Sequence, residues 1–191
     1  DNRAMTKFDI SWNDIRAKGG EALAEGLKGN QLIKELNFSY NFLGYNSYDD
    51  SDTSGIIAIA DVIPGMGALS KLIFGGNKVN SWDSEIKPAT LEVGMTEANF
   101  GSKNLGAGGA VIISAWLTHK DKGAMTNLNL ASNNICPYGD MDGIKAISSA
   151  LKVLAIILVP FSSLSDLPFN CWCLLLSPGY EGIEKIRHEL E

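Results

Sequence analysis

Apolar residues recur along this chain in one fixed phrase. Met5, Phe8, Ile10 and Ile15 frame Asn13, and twenty-eight residues later Ile33, Leu36, Phe38 and Leu43 frame Asn41. The spacing returns as Leu69, Leu72, Phe74 and Val79 around Asn77, and as Met125, Leu128, Leu130 and Ile135 around Asn133. A period of 20 to 50 residues marks a chain assembled by stacking one small unit. Within the phrase, apolar residues two apart fall on one face of a strand, so each unit is expected to open with a short strand. The asparagine stands where the chain leaves that strand. Its amide both donates and accepts, so it is expected to bond backbone groups of neighbouring units, as no apolar residue could.

A second stripe follows each phrase with helical spacing. Gly19, Leu23 and Leu27 lie four apart, as do Gly55/Ile59/Ile63, Gly109/Ile113/Leu117, Gly143/Ile147/Leu151 and Gly182/Ile186/Leu190. The glycine follows Asn13 by six residues, Asn41 by fourteen and Asn133 by ten, so insertions fall in the loop before the helix. Two further units fit the same template. Met95, Ala98, Phe100 and Leu105 place Lys103 in the asparagine slot, and Leu154, Ile157, Val159 and Leu164 place Ser162 there. The third unit differs, because Ser81 to Gly94 carries Pro88 and the alternating run Ala89 to Val93, which predicts a strand in place of a helix.

This pattern resembles the leucine-rich repeat family, of the ribonuclease-inhibitor-like kind, from Met5 to about Leu190. The resemblance implies an α/β solenoid of about six repeats, the third lacking its helix, with a curved parallel sheet inside and helices outside. One inner column of Phe8, Phe38, Phe74 and Leu130 is expected. Residues 1–191 are then a single domain with insertions at about 44–54, 80–94 and 165–181. The family includes inhibitors, immune sensors, GTPase activators and scaffolds, so the resemblance constrains the fold far more than the role.

In such an arc the residues between the apolar ones line the concave face. Four before the slot these are Asp9, Asn37, Ile73, Asn99, Asn129 and Leu158; two before, Ser11, Ser39, Gly75, Gly101, Ala131 and Pro160. One before, they are Trp12, Tyr40, Gly76, Ser102, Ser132 and Phe161. The middle is small and polar, with aromatics at both ends. Exposed Trp and Tyr are enriched among residues that carry binding energy, which makes Trp12, Tyr40, Asp9, Asn37, Asn99, Asn129 and Phe161 the candidate partner-binding set. One or both of Trp12 and Tyr40 could instead tuck sideways against a neighbouring loop, and residues 165–181 could fold back as a cap over Ile156, Leu158 and Phe161.

The charge balance narrows the partners. Sixteen Lys and Arg against 22 Asp and Glu leave a net charge of −6, which argues against nucleic acid, since a nucleic-acid binder shows a basic stripe. Cys136, Cys171 and Cys173 are too few for a disulfide framework, and a reducing, intracellular setting is the default expectation. The apolar stretch Leu154 to Leu176 is interrupted by Pro160, Asp166, Pro168 and Asn170 and is read as buried structure rather than a membrane span.

Local chemistry is sparse. Asp50, Asp52, Ser54 and Asp61 match part of a calcium-loop pattern, but the repeat claims Gly55 to Ile63 as helix, and an acidic segment capping that helix accounts for the same residues. Leu105 to Gly109 reads as the turn into a repeat helix rather than a phosphate loop. His119 and His188 lack ligand spacing and are expected at exposed helix ends. Asn37-Phe-Ser39 is a formal glycosylation sequon placed on the sheet. No nucleophile–base pairing is visible, so no enzyme and no cofactor are expected. The reading is a non-catalytic protein-interaction module or scaffold that binds a protein through the concave strand face. A regulator of an enzyme, such as a GTPase activator or inhibitor, is the alternative.

Overall fold

The computed structural model describes residues 4–45, 51–76, 86–119, 125–136 and 140–153. Strands and helices alternate: β1 (Lys7–Asp9), α1 (Arg16–Leu27), β2 (Glu35–Asn37), α2 (Ser54–Val62), a 3₁₀ turn (Ile63–Gly65), β3 (Lys71–Phe74), β4 (Ala89–Glu92), β5 (Glu97–Asn99), α3 (Gly106–Leu117), β6 (Asn127–Asn129) and α4 (Asp142–Val153). The proposed sixth unit, including Ser162, Phe161 and the 165–181 insertion, lies outside the described residues.

The strands are short because the backbone turns out of them at a fixed place. Trp12, Tyr40, Ser102 and Ser132, one before the slot, and Asp14, Phe42, Asn104 and Asn134, one after it, all adopt left-handed φ between 49° and 62°. A left-handed residue ends an extended ladder, since its φ has the opposite sign to a strand's.

Parallel pairing sets β1 on β2 and β2 on β3, with Phe8 opposite Leu36 and Leu36 opposite Leu72. β5 pairs with β6 in the same sense, Ala98 opposite Leu128. The expected inner column is therefore two columns. Phe8 stands with Leu36 and Leu72, whereas Phe38 and Phe74 lie two positions on, their rings 6.4 Å apart. The shift follows from the 28-residue offset of the β1–β2 register, which matches Phe38 to Ile10 rather than to Phe8.

The sheet expected to run unbroken is divided. β4 pairs with β3 antiparallel, Leu91 opposite Leu72, giving a four-stranded sheet in the order β1-β2-β3-β4 and a separate two-stranded sheet β5-β6. The strand foreseen at Ala89 to Val93 thus occupies the edge of β3 that a following parallel strand would take. Its Ala89 and Leu91 are fully buried, so it extends the core as well as the ladder. Burying a leucine in this way contributes roughly 1.5–3 kcal/mol.

The helical side is continuous where the strand side is not: α1 packs on α2, α2 on α3 and α3 on α4. Close approach rests on absent side chains. A Cβ on Gly55 would sit 2.7 Å from Ala17 Cα, and one on Gly143 would sit 2.8 Å from Ala107 Cα. In α1 the buried face is Ala17, Gly20, Ala24 and Leu27, rotated by about one residue from the expected Gly19/Leu23/Leu27 stripe. Gly20 causes the rotation, because it, like Ala17, meets Gly55 backbone to backbone.

One expectation about this layer is overturned. His119 follows the end of α3 but is only 3% exposed, with Nε2 3.1 Å from the Met66 carbonyl oxygen and its ring 6.5 Å from that of Trp116. Met66, the residue that follows the 3₁₀ turn, supplies the carbonyl, and a hydrogen-bonded imidazole can be buried where an unpaired one could not.

Candidate interaction face

The asparagine slot fixes the loops that carry the candidate residues. The side chain of Asn41 is buried and donates through Nδ2 to the carbonyls of Ile10, Phe38 and Ser39, while its Oδ1 accepts the Asn13 N–H at 2.8 Å. Asn133 repeats the arrangement. Its Nδ2 donates to Phe100, Leu130 and Ala131, and its Oδ1 accepts the N–H groups of Lys103 and Leu105. Lys103 therefore does occupy the slot position in its unit. Its ammonium donates to the carbonyls of Lys87 and Pro88, both at 3.2 Å, and so ties down the approach to β4. Asn13 has the same place at the β1 edge, but its amide reaches only Ile10 and Ser11 of its own unit.

These loops hold Trp12 and Tyr40 side by side. Their rings stack with centroids 3.8 Å apart and planes within 13°. The Tyr40 hydroxyl donates to the Ile86 carbonyl at 3.3 Å, and its ring fills the space a Cβ on Gly76 would need, 2.7 Å from Cε1. The column Trp12, Tyr40, Gly76 is thus one packed series in which Tyr40 is half-buried and Trp12 remains 65% exposed. Of the two, only Tyr40 tucks in against its neighbours.

Four before the slot, polar side chains bond from strand to strand. Asp9 Oδ1 accepts the Ser11 N–H at 3.0 Å and the Ser11 hydroxyl at 2.7 Å, and its Oδ2 accepts Asn37 Nδ2 at 3.0 Å. The backbone and hydroxyl donors of Ser11, then Asn37 and nearby Lys7, hold the Asp9 carboxyl below its ordinary value. Asn37 Oδ1 in turn accepts the Ser39 N–H and hydroxyl, which leaves Ser39 only 2% exposed and removes it from the face where it was expected. In the second sheet Asn129 donates to Asn99 at 3.1 Å, and each accepts a backbone N–H from two residues on.

A row the sequence reading passed over lies six before the slot. Lys7 Nζ is 3.1 Å from Glu35, and Lys71 Nζ is 2.6 Å from Glu92 across the antiparallel pair, so charges alternate over four strands. The hydrogen bond and charge of Glu92, with a smaller contribution from Glu35, raise the Lys71 pKa. The alternation of Lys7, Glu35 and Lys71 was available in the sequence; the share of Glu92 was not, since it depends on β4 reversing direction. Exposed pairs of this kind are screened by solvent and serve register more than stability.

The structure separates the calcium candidates. Asp52 accepts the Ser54 N–H at 3.1 Å at the entrance of α2, and Asp61 lies within α2 on exposed surface, about 10 Å along the axis from Ser54. Asp50 lies outside the described residues. Among the described residues no three His, Cys, Asp or Glu side chains could hold a metal ion together, and no helix is long and apolar enough to cross a membrane.

With this geometry in view, the family model for leucine-rich repeats matches residues 1–24, a span that contains the first phrase, β1 and the opening of α1. No curated protein and no solved structure matches the chain. A leucine-rich repeat points generically to protein binding, and such repeats are typically non-catalytic.

Proposed function

We propose that this chain is a non-catalytic protein-interaction module of the ribonuclease-inhibitor-like repeat kind, a single domain of about six units that binds a protein partner through its strand face. The observation that carries this reading is the Trp12–Tyr40 stack. A rigid aromatic shelf offers large contact area at little cost in side-chain entropy, which is what binding hot spots use. Its support is built in: Tyr40 is fixed by Ile86 and Gly76, and Trp12 rests on Tyr40. Asp9, Asn37, Asn99 and Asn129 supply polar contacts beside it, and Phe161 belongs to the same set on the repeat pattern.

The test is capture of a partner from the native source by the immobilised chain, followed by the same measurement with Trp12→Ala and Tyr40→Ala. A loss of about tenfold or more in affinity for each is expected of hot-spot residues. Unchanged capture by both variants overturns the proposed face.

A further inference from the structure

We infer that the partner segment seated at the Trp12 end of this face is basic, presenting arginine or lysine to the open side of the indole and to Asp9. This rests on the binding reading above and adds the chemistry of the occupant.

The first observation is a charge left without its opposite. Lys7 is engaged by Glu35, Lys71 by Glu92 and Arg16 by Asp14, the last at 2.8 Å. Among the described residues no cation lies within ion-pair distance of Asp9, exposed at the end of β1, which has only the neutral donors of Ser11 and Asn37. A carboxylate offers about four lone-pair positions, and three of these are filled, so about one acceptor site stays open.

The second observation is the indole itself. One face of Trp12 is covered by Tyr40, and the residue remains 65% exposed. The left-handed backbone position it occupies takes tyrosine at 40, serine at 102 and 132 and glycine at 76. A bulky side chain is strained in that conformation, and Trp12, unlike the half-buried Tyr40, gains little burial in return. An aromatic face draws a cation, most strongly for tryptophan, and arginine also stacks flat upon it. Asp9 and Trp12 are three residues apart, within the reach of one extended basic segment.

The counterpart positions lack both features. Asn99 and Ser102 stand where Asp9 and Trp12 do, and they offer neither charge nor ring. Of these two strands, the preference for a cation therefore belongs to β1 and not to β5.

The experiment titrates the full chain with two end-capped peptides of equal length, Gly-Ser-Arg-Gly-Arg-Ser-Gly and the same peptide with glutamate for arginine. Binding is followed by the NMR shift of the Trp12 indole N–H, assigned by its absence in Trp12→Phe. The arginine peptide is expected to shift this resonance and the glutamate peptide to leave it still. Asp9→Asn, followed by the same resonance, and Trp12→Ala, followed by titration calorimetry against the parent chain, should each weaken arginine-peptide binding roughly three- to tenfold. Asp61→Asn, on the helical side, should change it less than about twofold, as expected for a distant screened charge. Equal weakening by Asp9→Asn and Asp61→Asn would mean attraction to net charge alone and overturns the inference. Equal shifts from both peptides, or none from the arginine peptide, overturn it as well. If Trp12→Ala and Tyr40→Ala still abolish partner capture in those cases, the binding face stands and only its basic occupant falls.

Discussion

The β1–β2 and β5–β6 pairs share one plan and diverge in what they place on it. In each, a buried asparagine of the second unit, Asn41 or Asn133, accepts a backbone N–H from the first unit and donates to that unit's carbonyl at Ile10 or Phe100. In each, a glycine of the second helix, Gly55 or Gly143, lies against an alanine of the first, Ala17 or Ala107. The surface positions differ: Asp9, Asn37, Trp12 and Tyr40 in one pair, Asn99, Asn129, Ser102 and Ser132 in the other. The plan is set by groups that touch the neighbouring unit's backbone, and those tolerate little variation. The positions on the strand face, Tyr40 apart, reach one another, their own loop or solvent, and there two pairs with one scaffold become chemically distinct.

Substitutions at the shared positions should be large and equal in the two pairs. Asn41→Ala removes the side-chain partner of the buried Phe38 carbonyl and of the Asn13 N–H, while the Ser39 carbonyl keeps the Trp12 N–H, and Asn133→Ala does the same to its own set. Each is expected to cost about 3 kcal/mol in urea unfolding, against less than about 1 kcal/mol for the edge residue Asn13→Ala. A small loss at Asn133 alone would break the proposed equivalence.

Next in size are the helix contacts. Gly55→Ala and Gly143→Ala force a methyl against the neighbouring backbone and should cost about 1–3 kcal/mol each. Gly26→Ala lies in the same helix layer but has nothing within 4 Å of the added methyl, so it should stabilise by about 0.5–1 kcal/mol. Thermal midpoints moving in opposite directions for Gly55→Ala and Gly26→Ala would confirm that contact, not helix propensity, governs these glycines.

The smallest effect separates the two surfaces. Because the Asp9 carboxyl is held below its ordinary value, its contribution to stability is complete above the unfolded value near pH 4 and fades as pH falls through the folded value. Asp9→Asn should therefore flatten the acid limb of the stability curve below about pH 4. Asn99→Ala, at the neutral counterpart, should leave its shape unaltered. An acid limb identical in Asp9→Asn and the parent chain would remove the electrostatic distinction between the pairs.

Most of the element plan was legible in the letters because it depends on spacing. The strand at Glu35–Asn37 and the helix at Ser54–Val62 follow from alternation and from the Gly55/Ile59/Ile63 stripe, and the role of Asn41 follows from an amide placed where backbone groups of two units meet. The antiparallel sense of β4 was not legible, since alternation at Ala89 to Val93 predicts a strand without its direction or partner. Nor was the burial of His119, which depends on a carbonyl more than fifty residues earlier in the chain. For the candidate face, the column of Trp12 and Tyr40 could be read from register, whereas the retreat of Ser39 could not, because it depends on which way the Asn37 amide turns.

The sequence by itself determined the repeating unit: where each strand ends, which residue turns the chain and, outside α1, which helical positions face inward, all consequences of periodicity and side-chain chemistry. Only the tertiary structure decided how the units combine. It reversed β4 against β3 and divided the sheet, since an open strand edge is satisfied by whichever segment reaches it. It laid Tyr40 over Gly76 and Trp12 over Tyr40, since a ring packs into the space its neighbours leave.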